Sequence, residues 1–146
     1  MKKMWIMWLV AFAMVLTACQ GSTDESKTII VKDAWARSAL QGNTSAIYFL
    51  IDNSSEVDDA LLSASTDVAM MTELHMSSVD ASGIMKMSPQ ENVPVPAKSS
   101  VEFKQGGLHV MLMGLMKDLK PGDLIKLTLN FENAGKISLE VPVKEP

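Results

Sequence analysis

The sequence predicts an all-β domain, a small sandwich or barrel of about seven or eight short strands. Three observations carry this. No segment sustains an apolar period near 3.6 for the length of a helix. Short stretches of alternating apolar and polar residues recur instead. Clusters of Gly, Pro, Asn, Asp and Ser separate them.

The first segment stands apart from this pattern. Lys2 and Lys3 precede a short apolar run from Trp5 to Thr17. That run is shorter than the roughly 18–20 apolar residues a membrane-spanning helix needs, so it reads as a secretory signal. Leu16-Thr17-Ala18-Cys19 resembles the bacterial lipobox, in which cleavage precedes a cysteine that then carries lipid. The expected organisation is a lipoprotein signal peptide at 1–18, a lipidated Cys19 with a flexible tether at 19–27, and one domain at 28–146. The tether reads Gln20-Gly21-Ser22-Thr23-Asp24-Glu25-Ser26-Lys27, polar and small.

Within the domain, Thr28 to Ala36 forms a first strand, with Val31, Asp33 and Trp35 on one parity. Thr44 to Ile51 forms a second, ended by Asp52-Asn53-Ser54-Ser55. Ala60 to Ser65 and Val68 to Leu74 alternate weakly. Glu73 to Val79 and Ile84 to Met87 pair across Asp80-Ala81-Ser82-Gly83, which has hairpin chemistry. Pro89, Pro94 and Pro96 bar the next stretch from the centre of a sheet. Ser99 to Phe103 is extended, and Gln105-Gly106-Gly107 turns the chain into Leu108 to Leu115. Lys120-Pro121-Gly122-Asp123 is a second turn. Leu124 to Phe131 alternates cleanly, and Asn133-Ala134-Gly135 returns it into Ile137 to Val143.

Composition narrows the chemistry. The formal charge is −4 and becomes more negative once Lys2 and Lys3 are removed, with no basic patch for nucleic acid. Cys19 is the only cysteine. The domain therefore has neither a disulfide nor a thiol nucleophile, and it lacks the thiolate of a blue-copper site.

The chain has twelve methionines and two histidines. The methionines outside the leader all lie within residues 70–116, the region that also holds His75 and His109. The final hairpin, with its Leu, Ile, Val and Phe core, has none. Strand parity puts His109 and Met111 on one face, opposite Val110 and Leu112. Met113 shares that parity farther along. Met85 and Met87 share a parity across the hairpin turn from His75. One histidine and one methionine from each of two strand regions can thus converge on one ion. Imidazole and thioether are neutral, and thioether is soft, a combination that suits copper(I). The competing reading is of partly buried histidines with ordinary strand methionines. Met76 points away from His75. Met70, Met71 and Met116 are read as packing. Glu73 and Asp80 lie near the hairpin without a partner set for a hard metal.

His75-Met76, ten residues, Met87, twenty-one residues, His109, Val110 and Met111 resemble the pattern of the PCu(A)C family of periplasmic copper chaperones. The resemblance runs from about Lys27 to Val143 and includes Asp33-Ala34-Trp35-Ala36-Arg37. It implies a cupredoxin-like β-sandwich without the thiolate site. It also implies a copper(I) site made by His75, Met87, His109 and Met111. The function it implies is non-enzymatic: an extracytoplasmic copper(I) chaperone serving cytochrome c oxidase assembly. Its partner would be a copper-accepting oxidase subunit or a Sco-type chaperone. Cys19 adds a lipid anchor on a bacterial membrane, facing the periplasm or the extracellular side. Some relatives carry a C-terminal extension rich in His and Met; this sequence stops at Lys144-Glu145-Pro146, so a second site of that kind is not expected. Copper storage or detoxification would use the same site. A structural or interaction lipoprotein without metal is the other alternative. Trp35 either packs in the core or flanks the site, and Arg37 is either an exposed strand residue or a partner contact.

Overall fold

The computed structural model describes residues 29–145. The expected signal peptide, Cys19 and the tether lie outside these residues. Ten strands follow in chain order: β1 (Ile29–Arg37), β2 (Ser45–Asn53), β3 (Asp59–Thr66), β4 (Ala69–Val79), β5 (Met85–Pro89), β6 (Val93–Val95), β7 (Ser99–Phe103), β8 (Leu108–Leu115), β9 (Leu124–Phe131) and β10 (Lys136–Lys144). They form a cupredoxin-like β-sandwich. The count exceeds the seven or eight read from the sequence because weakly alternating pieces also join ladders. Val68 to Leu74 and Glu73 to Val79 fuse into the single strand β4. Val93–Val95 pairs only with β3, at one end of the strand order, where Pro94 forfeits no central ladder bond.

One layer runs β5-β4-β8-β2-β1, with β7 continuing along β2 beyond β8. The other runs β10-β9-β3-β6. A short parallel contact, Ala36 with Val143 and Arg37 with Lys144, joins the two. Alternation decides what faces inward. Ile47, Ile51, Val110 and Leu112 from the first layer meet Leu61, Leu127, Leu129, Phe131 and Val141 from the second, all essentially inaccessible to water. Each such side chain contributes on the order of 1.5–3 kcal/mol by leaving water. The buried side chains of Asn53 and Asp59 are both paired. Asn53 Nδ2 donates to the Val57 and Val95 carbonyls at 3.0 Å each. The Asp59 carboxylate accepts from the Asn133 and Ala134 amides at 2.9 Å each, which pins the β9–β10 turn.

The shared parity of Val31, Asp33 and Trp35 does not hold. Lys32 pairs with Leu50 and Trp35 with Tyr48, so β1 carries one residue more than β2 over this interval. Asp33 adopts φ 53°, the left-handed conformation that such a bulge requires. The bulge flips the strand. Val31 packs against the core, and Trp35 is delivered to the outer face of the layer.

Candidate metal centre

The outer face of β4, β8 and β5 gathers the sequence-predicted donors. β4 and β8 are antiparallel and in register from Met71 with Met113 to Met76 with Leu108. Val110, Leu112 and Leu74 are buried on the inner face. The opposite parity therefore puts His75 directly across from His109, and Glu73 directly across from Met111. The imidazole centroids are 5.8 Å apart, inclined at 55°. On the other side of β4, Met87 faces Ser77, one rung diagonal to His75. Met76 points to the inner face, as parity requires.

Two local features aim the β5 and β8 donors. The β4–β5 turn is closed by Asp80, whose Oδ1 accepts from the Ser82 and Ile84 amides at 2.9 and 3.1 Å. Gly83 takes φ 79°, which suits a residue without a Cβ. Lys86 Nζ sits 3.0 Å from Asp80 Oδ2. The Ile84 amide, then Lys86 and the Ser82 amide, hold the Asp80 carboxyl below its usual range. At the start of β8, the Gly107 carbonyl accepts from the Ser77 amide at 3.0 Å and from His109 Nδ1 at 3.0 Å. That second bond places the ring proton on Nδ1 and leaves the Nε2 lone pair of His109 for a metal.

His75 is set by a side chain. Its Nε2 donates to Glu73 Oε2 at 2.8 Å, a bond that in the neutral ring puts the lone pair on Nδ1. His75 Nδ1 is buried and has no hydrogen-bond partner. Buried polar atoms are ordinarily paired. A lone pair left over beside a second imidazole suits a Lewis acid, so the residues present fit a soft ion. Among the described residues no group of three or more His, Asp or Glu offers a hard-metal alternative.

His109, Met111 and Met87 line one open cleft of about 260 Å³, together with Met85, Tyr48 and Arg37. His75 does not line this cleft and lies beside the His109 ring. Met85 and Met87 are more than half exposed. Tyr48 stands 6.5 Å from His109 between ring centroids, and Trp35 lies 4.8 Å beyond it. Trp35 thus flanks the site at one remove and is not a core residue. Burial raises the Tyr48 phenol above its ordinary pKa, with Arg37 acting in the opposite direction. Arg37 is exposed and belongs to the cleft rim. Of two further members of these surroundings, sequence reasoning set Glu73 aside as a metal ligand without seeing its tie to His75, and it did not find Tyr48. Glu73 shares the parity of His75 two residues on, and that signal was available. Tyr48 needed the β2–β8 register, in which Ala46 pairs with Met111.

Met70, Met71 and Met116 are 82%, 53% and 56% exposed, so none is a core residue, and of the three Met70 lies over Gly114. The core beneath them is already filled by Leu and Val.

Residues 29–143 match the LpqE-like lipoprotein family. The "Putative lipoprotein Lxx21020" of Leifsonia xyli subsp. xyli is 29% identical over 115 residues, which span 79% of this chain and 69% of that protein. The copper-bound PCuAC domain from PmoF2 superposes with a TM-score of 0.68 at 26% identity, covering 82% of this chain and 94% of that one. CuI-DR1885 from Deinococcus radiodurans superposes with a TM-score of 0.60 at 26% identity, covering 86% and 85%. The apo PCuAC domain from PmoF1, at 23% identity and a TM-score of 0.69, has the same fold. The chain belongs to the LpqE-like lipoprotein family, and its sandwich has the fold of the PCuAC domains.

Proposed function

We propose that the protein is an extracytoplasmic copper(I) carrier. In this reading His75, Met87, His109 and Met111 hold the ion, and Cys19 anchors the chain by lipid to a bacterial membrane, facing the periplasm or the extracellular side. The observation that carries it is the direct cross-strand pairing of His75 with His109, with a methionine one step away on each side of the pair. The copper-bound state of the PmoF2 and DR1885 domains supports the same cargo.

The chemistry of the donors suits carriage. Neutral imidazole and thioether groups hold a monovalent soft ion without cancelling its charge, which leaves it exchangeable. Each bond is replaced by one from an acceptor, and the ion keeps its oxidation state. Met87 at the open rim is the first bond an acceptor meets. A copper-accepting cytochrome c oxidase subunit, or a Sco-type chaperone that feeds it, is the proposed recipient. A tether confines the search for such a membrane partner to a thin layer.

Anaerobic titration of the protein with copper(I) against a coloured chelator tests the site, with His109→Ala in parallel. One tightly bound equivalent, weakened at least about tenfold in the variant, or about 1.4 kcal/mol, is expected. Equal competition by both proteins removes His109 from the site. Failure of both proteins to compete removes the carrier reading.

A further inference from the structure

The row of sulfur donors does not stop at the site. On the outer face of β4 and β8 the rungs run His75 with His109, then Glu73 with Met111, then Met71 with Met113. Met71 is 53% exposed, and Met111 and Met113 are half-buried. Burial of apolar area does not account for Met71, since Val110 and Leu112 fill the core of this layer from the inner face.

Directly opposed residues on such strands have Cβ atoms about 4.5–5.5 Å apart, and long side chains on the diagonal are also within reach. Met71 and Met113 are opposed, and Met111 is diagonal to Met71. An unbranched side chain with three rotatable bonds can bring its sulfur onto a shared point. Glu73 stands on the same face directly across from Met111, its side chain 40% exposed. It supplies negative potential to a cation there without being a soft donor.

We propose that Met71 and Met113, with Met111, form a second station for a soft monovalent ion, copper(I) or silver(I), made of thioethers alone. It rests on the copper reading of the first site and adds an adjoining step. Met111 belongs to both stations, so an ion moves between them by exchanging the remaining donors while one sulfur stays bound. No electron is transferred, and no proton is released at the second station. Without imidazole it is the weaker of the two.

The test is a methionine-methyl spectrum of the full chain carrying ¹³C-methyl methionine, titrated anaerobically with silver(I). The first equivalent is expected to move the Met87 and Met111 methyls, and the second those of Met71 and Met113. In Met71→Leu/Met113→Leu, which nearly conserves volume, the first set of shifts persists. The second equivalent binds at least tenfold more weakly. Met71→Leu alone, at an exposed position, weakens it in the same direction. If the second equivalent leaves Met71 and Met113 unmoved, or binds equally well to either variant, the second station is overturned. Shifts at Met71 and Met113 without any at Met87 would overturn the first site and keep the second.

Discussion

Glu73 Oε2 accepts a hydrogen bond from His75 Nε2 at 2.8 Å, from two residues back along the same face of β4. This carboxylate selects which imidazole nitrogen is left bare. Outer partners of this kind typically change metal affinity by about 10–100-fold. Glu73→Ala is expected to weaken copper(I) binding within that range while leaving the melting temperature near that of the parent. Glu73→Gln keeps an acceptor oxygen and loses the charge, so its effect should be smaller. Chelator competition on both variants checks the order, and an equal or reversed order would deny Glu73 this role.

Met111 is half-buried on the outer face, with the core residues Val110 and Leu112 turned the other way. Met111→Ala therefore removes a sulfur without opening a core cavity. The expected loss is about tenfold or more in copper(I) affinity, with the near-native fold visible in the methyl spectrum. Unchanged affinity would exclude it as a ligand.

The β4–β5 turn should respond to acid. Asp80 has its carboxyl held below the ordinary range by the Ile84 amide, Lys86 and the Ser82 amide. A depressed folded value means that Asp80 stabilises the turn above its unfolded pKa. That contribution is lost as pH falls below about 4 and through the folded value. The amide signals of β5 are expected to shift in that window before those of β2 and β8. Asp80→Ala should reproduce the loosening at neutral pH, with weaker copper(I) binding through Met87. A β5 spectrum unchanged in both conditions would show that Asp80 does not hold this turn.

Met87 is 55% exposed, and peroxide should reach it before Met111. Sulfoxide formation replaces a soft sulfur donor with a polar group. Mass-resolved oxidation of Met87 is expected to lower copper(I) affinity, and methionine sulfoxide reductase to restore it. A singly oxidised sample that binds normally would remove Met87 from the ligand set.

Trp35 is the only tryptophan of the described residues, and it reaches His109 through Tyr48. Soft-ion binding is therefore expected to change tryptophan emission, and Trp35→Phe to abolish the change. Emission that does not respond to a bound equivalent would separate this aromatic pair from the site.

Strands whose alternation faces a filled core were legible from sequence. Leu108–Leu115 and Leu124–Phe131 emerge at the bounds later seen, because Val110 and Leu112 in the one and every second residue in the other are inaccessible, and the flanking turns are rich in Gly, Pro and Asp. The opposed faces of His109 and Val110 followed from the same period of two. What failed was what alternation cannot encode. One extra residue at Asp33 reverses the parity of Trp35, and an aspartate in left-handed φ leaves no trace in a hydropathy pattern. Methionine is ambiguous for another reason. Its hydropathy is that of a core residue, so nothing in Met70, Met71 or Met116 announces exposure. Glu73 was discounted as lacking a metal partner set, although its role lies with the histidine and not with an ion.

β5 borders β4 and no other strand. Among the described residues, these five exposed residues at one end of the strand order, anchored by one ladder and one turn, are of the kind that opens locally without the rest. Met87 opens with it, whereas His75, His109 and Met111 stay on interior strands. The residence time of a bound ion then becomes a property of one five-residue edge. Evolution can lengthen or shorten it by editing that hairpin, leaving the sandwich and its stability untouched.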